Sequence, residues 1–319
     1  MSDVKTIKAL YFNGQTVKLR DDYQLKRHPT EALIRVSLAG ICNTDLEILR
    51  GYASFSGVPG HEFVGFVEES DDHKLRGRKV VGEINCGCGQ CDFCLRGLER
   101  HCPNRTVLGI RGRDGAFATH LTLPPKNLHV VDDLDNDVAV FVEPLAAAFE
   151  ILEQLHVQPD WEIAVVGDGK LGLLVSQVLS LVSPNVVCVG KHPWKLEVAD
   201  RLGISTLTIE KAPKADFDLV VDATGSPAGL ELCLQLVKPR GTLVMKTTVA
   251  SAHSLDFSRF VVNEVTIVGS RCGRFKPAIE ALRKGSVKVK PLIDSGYKLE
   301  DFEEAFKRAS SGLKVLFTP

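Results

Sequence analysis

Cys88, Cys91, Cys94 and Cys102 follow a C-x2-C-x2-C-x7-C pattern within residues 85–102, a stretch holding five of the chain's nine cysteines. Two-residue gaps let neighbouring thiolates turn onto one ion, and the longer loop brings back a fourth sulfur. Four sulfurs satisfy a tetrahedral Zn2+ and leave no open position. Such a site is structural, stapling a loop too polar and glycine-rich to hold itself by packing. Cys86 breaks the regular step and is left outside the set. Disulfides and an iron–sulfur cluster are the alternatives; a reducing compartment and the odd cysteine count both weigh against disulfides.

The second pattern is Gly167-x-Gly169-x-x-Gly172 in "WEIAVVGDGKLGLLVSQVLSLV" (161–182), between an apolar, β-branched run and a helical apolar pattern. In that setting the glycines read as a dinucleotide loop. Gly167 permits the tight turn, Gly169 lets the backbone approach a pyrophosphate, and Gly172 allows close helix–strand packing. Lys170 and Leu171 open the helix, whose unpaired N–H groups would face the phosphates. The following strand, "NVVCVG", ends in Gly190 and is followed by Lys191 and His192, with Lys195 three residues on. A strand-end carboxylate marks NAD in such sites. No carboxylate follows this strand directly and cations do, so NADP(H) is expected over NAD(H). Thr224 and Thr247 fall past the C-terminal ends of later strands, where ligands bind in doubly wound sheets.

A third set is dispersed. Cys42 follows an apolar strand in "AGICNTD", His61 and Glu62 follow a Pro-Gly turn in "VPGHEFVG", and Glu143 interrupts the apolar run "VAVFVEPLAAAFEIL". Cys42, His61 and Glu143 offer a thiolate, an imidazole and a carboxylate. Three protein ligands of this kind leave a fourth position on zinc for water or substrate. A buried Glu143 also needs a partner, which a metal supplies.

These residues need elements to carry them. Strand–helix alternation over roughly 145–272 indicates a doubly wound parallel sheet. The N-terminal region shows short β-like stretches ("EALIRVSLAG", "EFVGFVEE", "RKVVGEI", "AFATHLTLP") divided by turns, as in a mostly antiparallel domain. From about residue 274 the pattern is helix, strand, helix. A length of 319 residues makes two domains the prior. A net charge of -1 gives no electrostatic case for nucleic acid or an anionic membrane. No apolar run approaches a membrane span, and the first residues lack a signal-peptide core, so a cytoplasmic protein is expected.

Taken together, "GICNTD", "GHEFVG", "CGQCDFCLRGLERHC", "VEPLAAA", "VVGDGKLG", "VDATGSP" and "KPRGTLV" resemble, in order and over essentially the whole chain, a zinc-containing medium-chain dehydrogenase of the alcohol and polyol dehydrogenase superfamily. The resemblance implies an α/β protein. Its GroES-like catalytic domain would comprise residues 1–144 completed by 274–319, with a Rossmann domain over 145–273. It also implies two zinc ions per chain, one catalytic and one structural, and a homo-oligomer, dimer or tetramer. Cys42 and His61 would be catalytic ligands with Glu143 as the third, and Glu62 is its rival. Thr44 would be the proton-relay hydroxyl and Asp45 a carboxylate orienting the ligands. Asn43 stands where glycine or a basic residue is more usual, and Glu47 where many relatives have a histidine ending the relay.

The expected reaction is reversible hydride transfer between NADP(H) and a small alcohol or polyol, or its carbonyl counterpart. An NADPH-dependent quinone or enoyl reductase on the same fold, and a catalytically silent NADPH-binding protein, are the alternatives. Phe55, Arg111 and Phe275 are candidates for lining the substrate pocket.

Overall fold

Strand Ala32–Gly40 shows how the first unit is built: Ala32, Leu33, Ile34 and Val36 are buried while Arg35 reaches solvent. The computed structural model describes residues 3–247 and 256–319. They fall into two compact units, Met1–Glu143 with Ile293–Pro319, and Pro144–Leu292.

In the first unit a seven-stranded sheet runs in the order Ile293–Lys298, Lys314–Thr318, Ala32–Gly40, Glu62–Glu69, Lys79–Gly82, Leu128–Val130, with His120–Leu123 also pairing with Ala32–Gly40. Its pairings are antiparallel except between Ile293–Lys298 and Lys314–Thr318, which are parallel and joined by helix Phe302–Ser311. A parallel pair cannot close through a hairpin, so a helical crossover is required. The strand Lys314–Thr318 lies beside Ala32–Gly40, with Leu316 opposite Gly40 and Phe317 opposite Ala39. Phe317 is fully buried, 5.1 Å from the Phe117 ring at 72° and 5.8 Å from the Phe306 ring at 85°. These edge-to-face contacts fasten the C-terminal strand into the core. The hairpin of Asp3–Phe12 and Val17–Arg27 forms a separate two-stranded sheet.

The second unit is a six-stranded parallel sheet in the order Ser205–Thr208, Val186–Gly190, Ile163–Val166, Phe217–Asp222, Val237–Met245, Thr266–Gly269. In chain order that is 3-2-1-4-5-6, the arrangement of the Rossmann fold. Ile163, Ala164, Val165 and Val166 are all buried, as a central strand covered on both faces requires.

Residues 274–292 were expected with the first unit, but the structure groups them with the second. The Gln177 amide gives the reason. It donates to the Lys288 carbonyl at 3.1 Å and accepts from the Lys288 N–H at 2.8 Å, tying the segment to helix Lys170–Ser180. No helix among the described residues is long and apolar enough to cross a membrane.

Because Phe317 is enclosed by aromatic rings, Phe317→Ala should cost about 3–5 kcal/mol in its unit. A urea titration monitored by tryptophan-independent far-UV signal should show the corresponding midpoint fall; an unmoved midpoint contradicts the packing role.

Candidate metal centres and nucleotide loop

The four cysteines of the first motif converge. Cys91 caps the short helix Asp92–Leu95, which carries Cys94, and Cys102 returns after a 3-10 turn. Cys91 Sγ lies 3.6 Å from Cys94 Sγ and 3.6 Å from Cys102 Sγ, which in turn lies 3.6 Å from Cys88 Sγ. A disulfide would need sulfurs about 2.05 Å apart. A tetrahedron with Zn–S near 2.3 Å has edges of roughly 3.8 Å, so the donor set fits zinc. Backbone N–H groups of Gln90 and Cys91 draw the Cys88 thiol down to about 6, whereas burial and then the neighbouring sulfurs push Cys94 up to about 12. Four thiolates this close need a cation to ionise together. Gly87 is required here, because a Cβ on it would stand 2.9 Å from Cys94 Sγ. Cys86 is buried outside the group, its thiol pushed up by burial.

The dispersed set converges as well. Cys42 caps helix Asn43–Leu49, placing Asp45 in the first turn, where its Oδ2 accepts the Cys42 N–H at 2.8 Å. The other oxygen, Oδ1, lies 3.0 Å from His61 Nδ1. With Nδ1–H donated to a fully buried carboxylate, Nε2 is the nitrogen that would face a cation on giving up its proton. Burial opposes charge on His61, but Asp45 outweighs it and holds the imidazole pKa well above its ordinary value. Cys42, His61 and Glu62 each offer a donor atom, all within 4.8 Å of one another. Thr44 Oγ1 is 3.8 Å from Cys42 Sγ.

Glu62 is the member of this group that sequence reasoning ranked second to Glu143. Its Oε2 pairs with Lys314 Nζ, and both side chains are almost wholly buried, at 0% and 1% exposed. Its Oε1 is buried with no hydrogen-bond donor, a position that fits a cation. Gly40 makes room for this carboxylate, since a Cβ there would overlap Oε2. Glu143 does not join the cluster of donor atoms. It stands at the start of helix Val142–Gln154, where burial pushes its carboxyl up to about 7, with His61 opposing and Glu62 reinforcing the shift. Lys314 was missed in the sequence; a lysine at the head of the apolar run "KVLFT" was the available signal. Its Nζ also stands 5.7 Å from the centroid of the Phe141 ring. Glu47 pairs with Arg50 at 2.7 Å.

In the nucleotide loop Gly167 has φ 121, and a Cβ on it would meet the Ala223 carbonyl at 2.7 Å. A Cβ on Gly172 would overlap the Gly167 carbonyl, whereas one on Gly169 would meet nothing within 4 Å. Gly169 thus faces open space at the N-terminus of helix Lys170–Ser180, with Lys170 and Leu171 in its first turn. A helix start with no side chain in the way at Gly169 fits a pyrophosphate.

Not every expected contact residue is placed for a ligand. Thr224 Oγ1 donates to Asp222 Oδ1 at 2.7 Å, and Thr247 Oγ1 accepts the Gly225 N–H at 3.0 Å, so both hydroxyls brace the strand-end loops. Lys195 is buried, its Nζ 5.2 Å from the centroid of the Trp194 ring, while Lys191 is exposed. Phe55 is packed with Phe12 and Ile48 as core, Phe275 is buried, and Arg111 is exposed. The end of strand Val186–Gly190, which shows no carboxylate of its own in the sequence, receives one from elsewhere. Asp168, from the glycine loop, reaches that strand end and accepts the N–H groups of Lys191 at 2.8 Å and His192 at 2.7 Å.

The first unit carries a Cys-His-carboxylate group that fits zinc and the second a Rossmann glycine loop that fits a dinucleotide, the two parts a zinc-containing dehydrogenase needs. Residues 28–133 match the alcohol dehydrogenase GroES-like domain, and residues 171–284 match the zinc-binding dehydrogenase family. The chain is 31% identical over 309 residues to L-threonine 3-dehydrogenase of Streptomyces coelicolor, covering 88% of this chain and 89% of that protein. It is 27% identical to D-arabinitol dehydrogenase 1 of Uromyces fabae, covering 91% and 90%. Among solved structures, a thermostable alcohol dehydrogenase from Pyrobaculum aerophilum matches with TM-score 0.88 and 26% identity over 98% of this chain and 99% of that one. The chain belongs to the zinc-containing medium-chain dehydrogenases/reductases and is an oxidoreductase of the alcohol dehydrogenase type.

Removing the partner of a buried charge is costly, so Lys314→Met should destabilise the metal-stripped protein by about 3–5 kcal/mol. Stability equal to the wild type in denaturant titration would show that the pair contributes nothing. Glu143 binds its proton more tightly folded than unfolded between pH 4.5 and about 7, so its contribution to stability declines as pH rises through that window. Metal-stripped Glu143→Gln should therefore melt above wild type at pH 8, with the gap closing below pH 4.5; a gap independent of pH refutes the assignment.

Proposed function

We propose that this protein interconverts a secondary or primary alcohol of a small polyol-like substrate and the corresponding carbonyl, with a nicotinamide dinucleotide as hydride carrier and a zinc ion held by Cys42, His61 and Glu62. The observation that carries the reading is the orphaned Glu62 Oε1, buried beside Cys42 and an Nε2-presenting His61. Bound there, zinc supplies Lewis acidity that lowers the pKa of a substrate hydroxyl, while the nicotinamide ring supplies the hydride chemistry.

The chain's own residues set the conditions. Asp45 holds His61 in the metal-binding tautomer and fixes the Cys42 backbone in the same stroke. Lys314 neutralises one oxygen of Glu62 and leaves the other for the cation. The Thr44 hydroxyl, next to Cys42, would pass a substrate proton onward, and Glu143 offers a carboxyl that exchanges a proton near neutrality. Gly169 and the first turn of its helix receive the pyrophosphate. Cys88, Cys91, Cys94 and Cys102 hold a second zinc that shapes their lobe and takes no part in turnover. The relative named for D-arabinitol supports a polyol as substrate class.

Metal analysis of the purified protein should give about two zinc ions per chain. Cys42→Ser and Cys102→Ser should each lose one equivalent, but only the first should abolish turnover while nucleotide binding survives. A panel of polyols, sugars and simple alcohols with NAD+ and NADP+, followed by absorbance of the reduced cofactor, provides the assay. Full activity in zinc-depleted Cys42→Ser would end the proposal.

A further inference from the structure

In a Rossmann unit the end of the second strand decides between the 2'-hydroxyl of NAD and the 2'-phosphate of NADP. Here that strand, Val186–Gly190, ends without a side chain, and the space is filled from elsewhere. The Asp168 carboxylate, 8% exposed, leaves the glycine loop and sits against Gly190, where an added Cβ would come within 2.5 Å of Oδ2. Oδ2 accepts the backbone N–H of Lys191 at 2.8 Å and of His192 at 2.7 Å. Oδ1 lies 2.9 Å from His192 Nδ1. The two N–H groups just before helix Pro193–Arg201 are therefore already satisfied by an anion belonging to the protein.

We propose that Asp168 is the residue that sets cofactor preference, selecting NAD(H) against NADP(H) by placing a fixed carboxylate where a strand-end acid ordinarily stands. The proposal rests on the nicotinamide reading given above. A 2'-phosphate carries close to two negative charges. Seated at this strand end it would face a desolvated carboxylate and find both backbone donors taken, and like charges brought together out of water repel strongly. Lys191 pulls the other way, but its side chain is exposed, and an exposed cation is screened by water and salt. A ribose hydroxyl meets no such conflict: it can donate to a carboxylate, which keeps acceptor capacity after its present bonds. The variable second residue of the glycine motif thus does the work usually assigned to the end of the neighbouring strand.

The test is a fluorescence titration of the zinc-loaded protein with NADH and with NADPH, which reads binding independently of turnover. Wild type should bind NADH at least about tenfold more tightly. Asp168→Ser, which removes the charge and frees the Lys191 and His192 N–H groups, should shrink that ratio about tenfold or invert it. Asp168→Asn keeps the shape, loses the charge and should move the ratio in the same direction. Wild type binding NADPH as tightly as NADH overturns the proposal and leaves the nucleotide reading standing. An unchanged ratio in a folded Asp168 variant overturns it equally. Binding of neither nucleotide defeats both.

Discussion

Burying ionisable groups is the constraint around which the first unit is organised. Asp45, His61, Glu62 and Lys314 all lie almost wholly out of water, and each is tolerable only because another member sits against it. The pairs are unequal in what they leave over. Asp45 spends one oxygen on the Cys42 backbone and the other on His61, and so is satisfied. Lys314 satisfies only one oxygen of Glu62. The remaining lone pairs, on Glu62 Oε1, His61 Nε2 and Cys42 Sγ, are what a cation would complete. A glycine at position 40 is part of the same arrangement, because any larger residue would contest the space of the Glu62 carboxylate.

The second unit is organised by exclusion of side chains. Gly167 and Gly172 are needed because backbone approaches backbone, and Gly169 because the helix start must stay open. Asp168, lodged between these glycines in sequence, turns away from the open face toward the neighbouring strand end. The loop therefore has one surface kept bare and one carrying a fixed charge. Thr224 and Thr247, expected as ligand contacts, make local hydrogen bonds within the adjoining loops.

The parts legible in the sequence were those whose signal is local. The thiol spacing of residues 88–102, the glycine spacing after Ile163–Val166 and the alternation of strands and helices each report on nearby backbone. Cys42 and His61 were named from residue type and setting, whereas the roles of Thr44 and Asp45 came only with the resemblance. The parts that escaped depend on tertiary reach. Glu62 and Glu143 are equivalent in type, and only the folded register beside Gly40 puts one of them among the donor atoms. Lys314 sits 252 positions from its partner, in a strand that alternation alone reads as plain core. Asp168 reaches the next strand end through a turn whose course spacing cannot reveal. Residues 274–292 were misassigned because the pattern shows a helix and a strand, while the Gln177 amide that gathers the segment is invisible in the linear pattern.

The placement of Lys314 also orders events during synthesis. The buried glutamate at position 62 leaves the ribosome long before its counter-ion, with the whole of 144–292 translated in between. Until strand Lys314–Thr318 emerges and pairs with Ala32–Gly40, the nascent N-terminal sheet lacks both a strand and the cation that makes Glu62 tolerable in its interior. The first unit therefore completes its sheet only after translation has passed through the second.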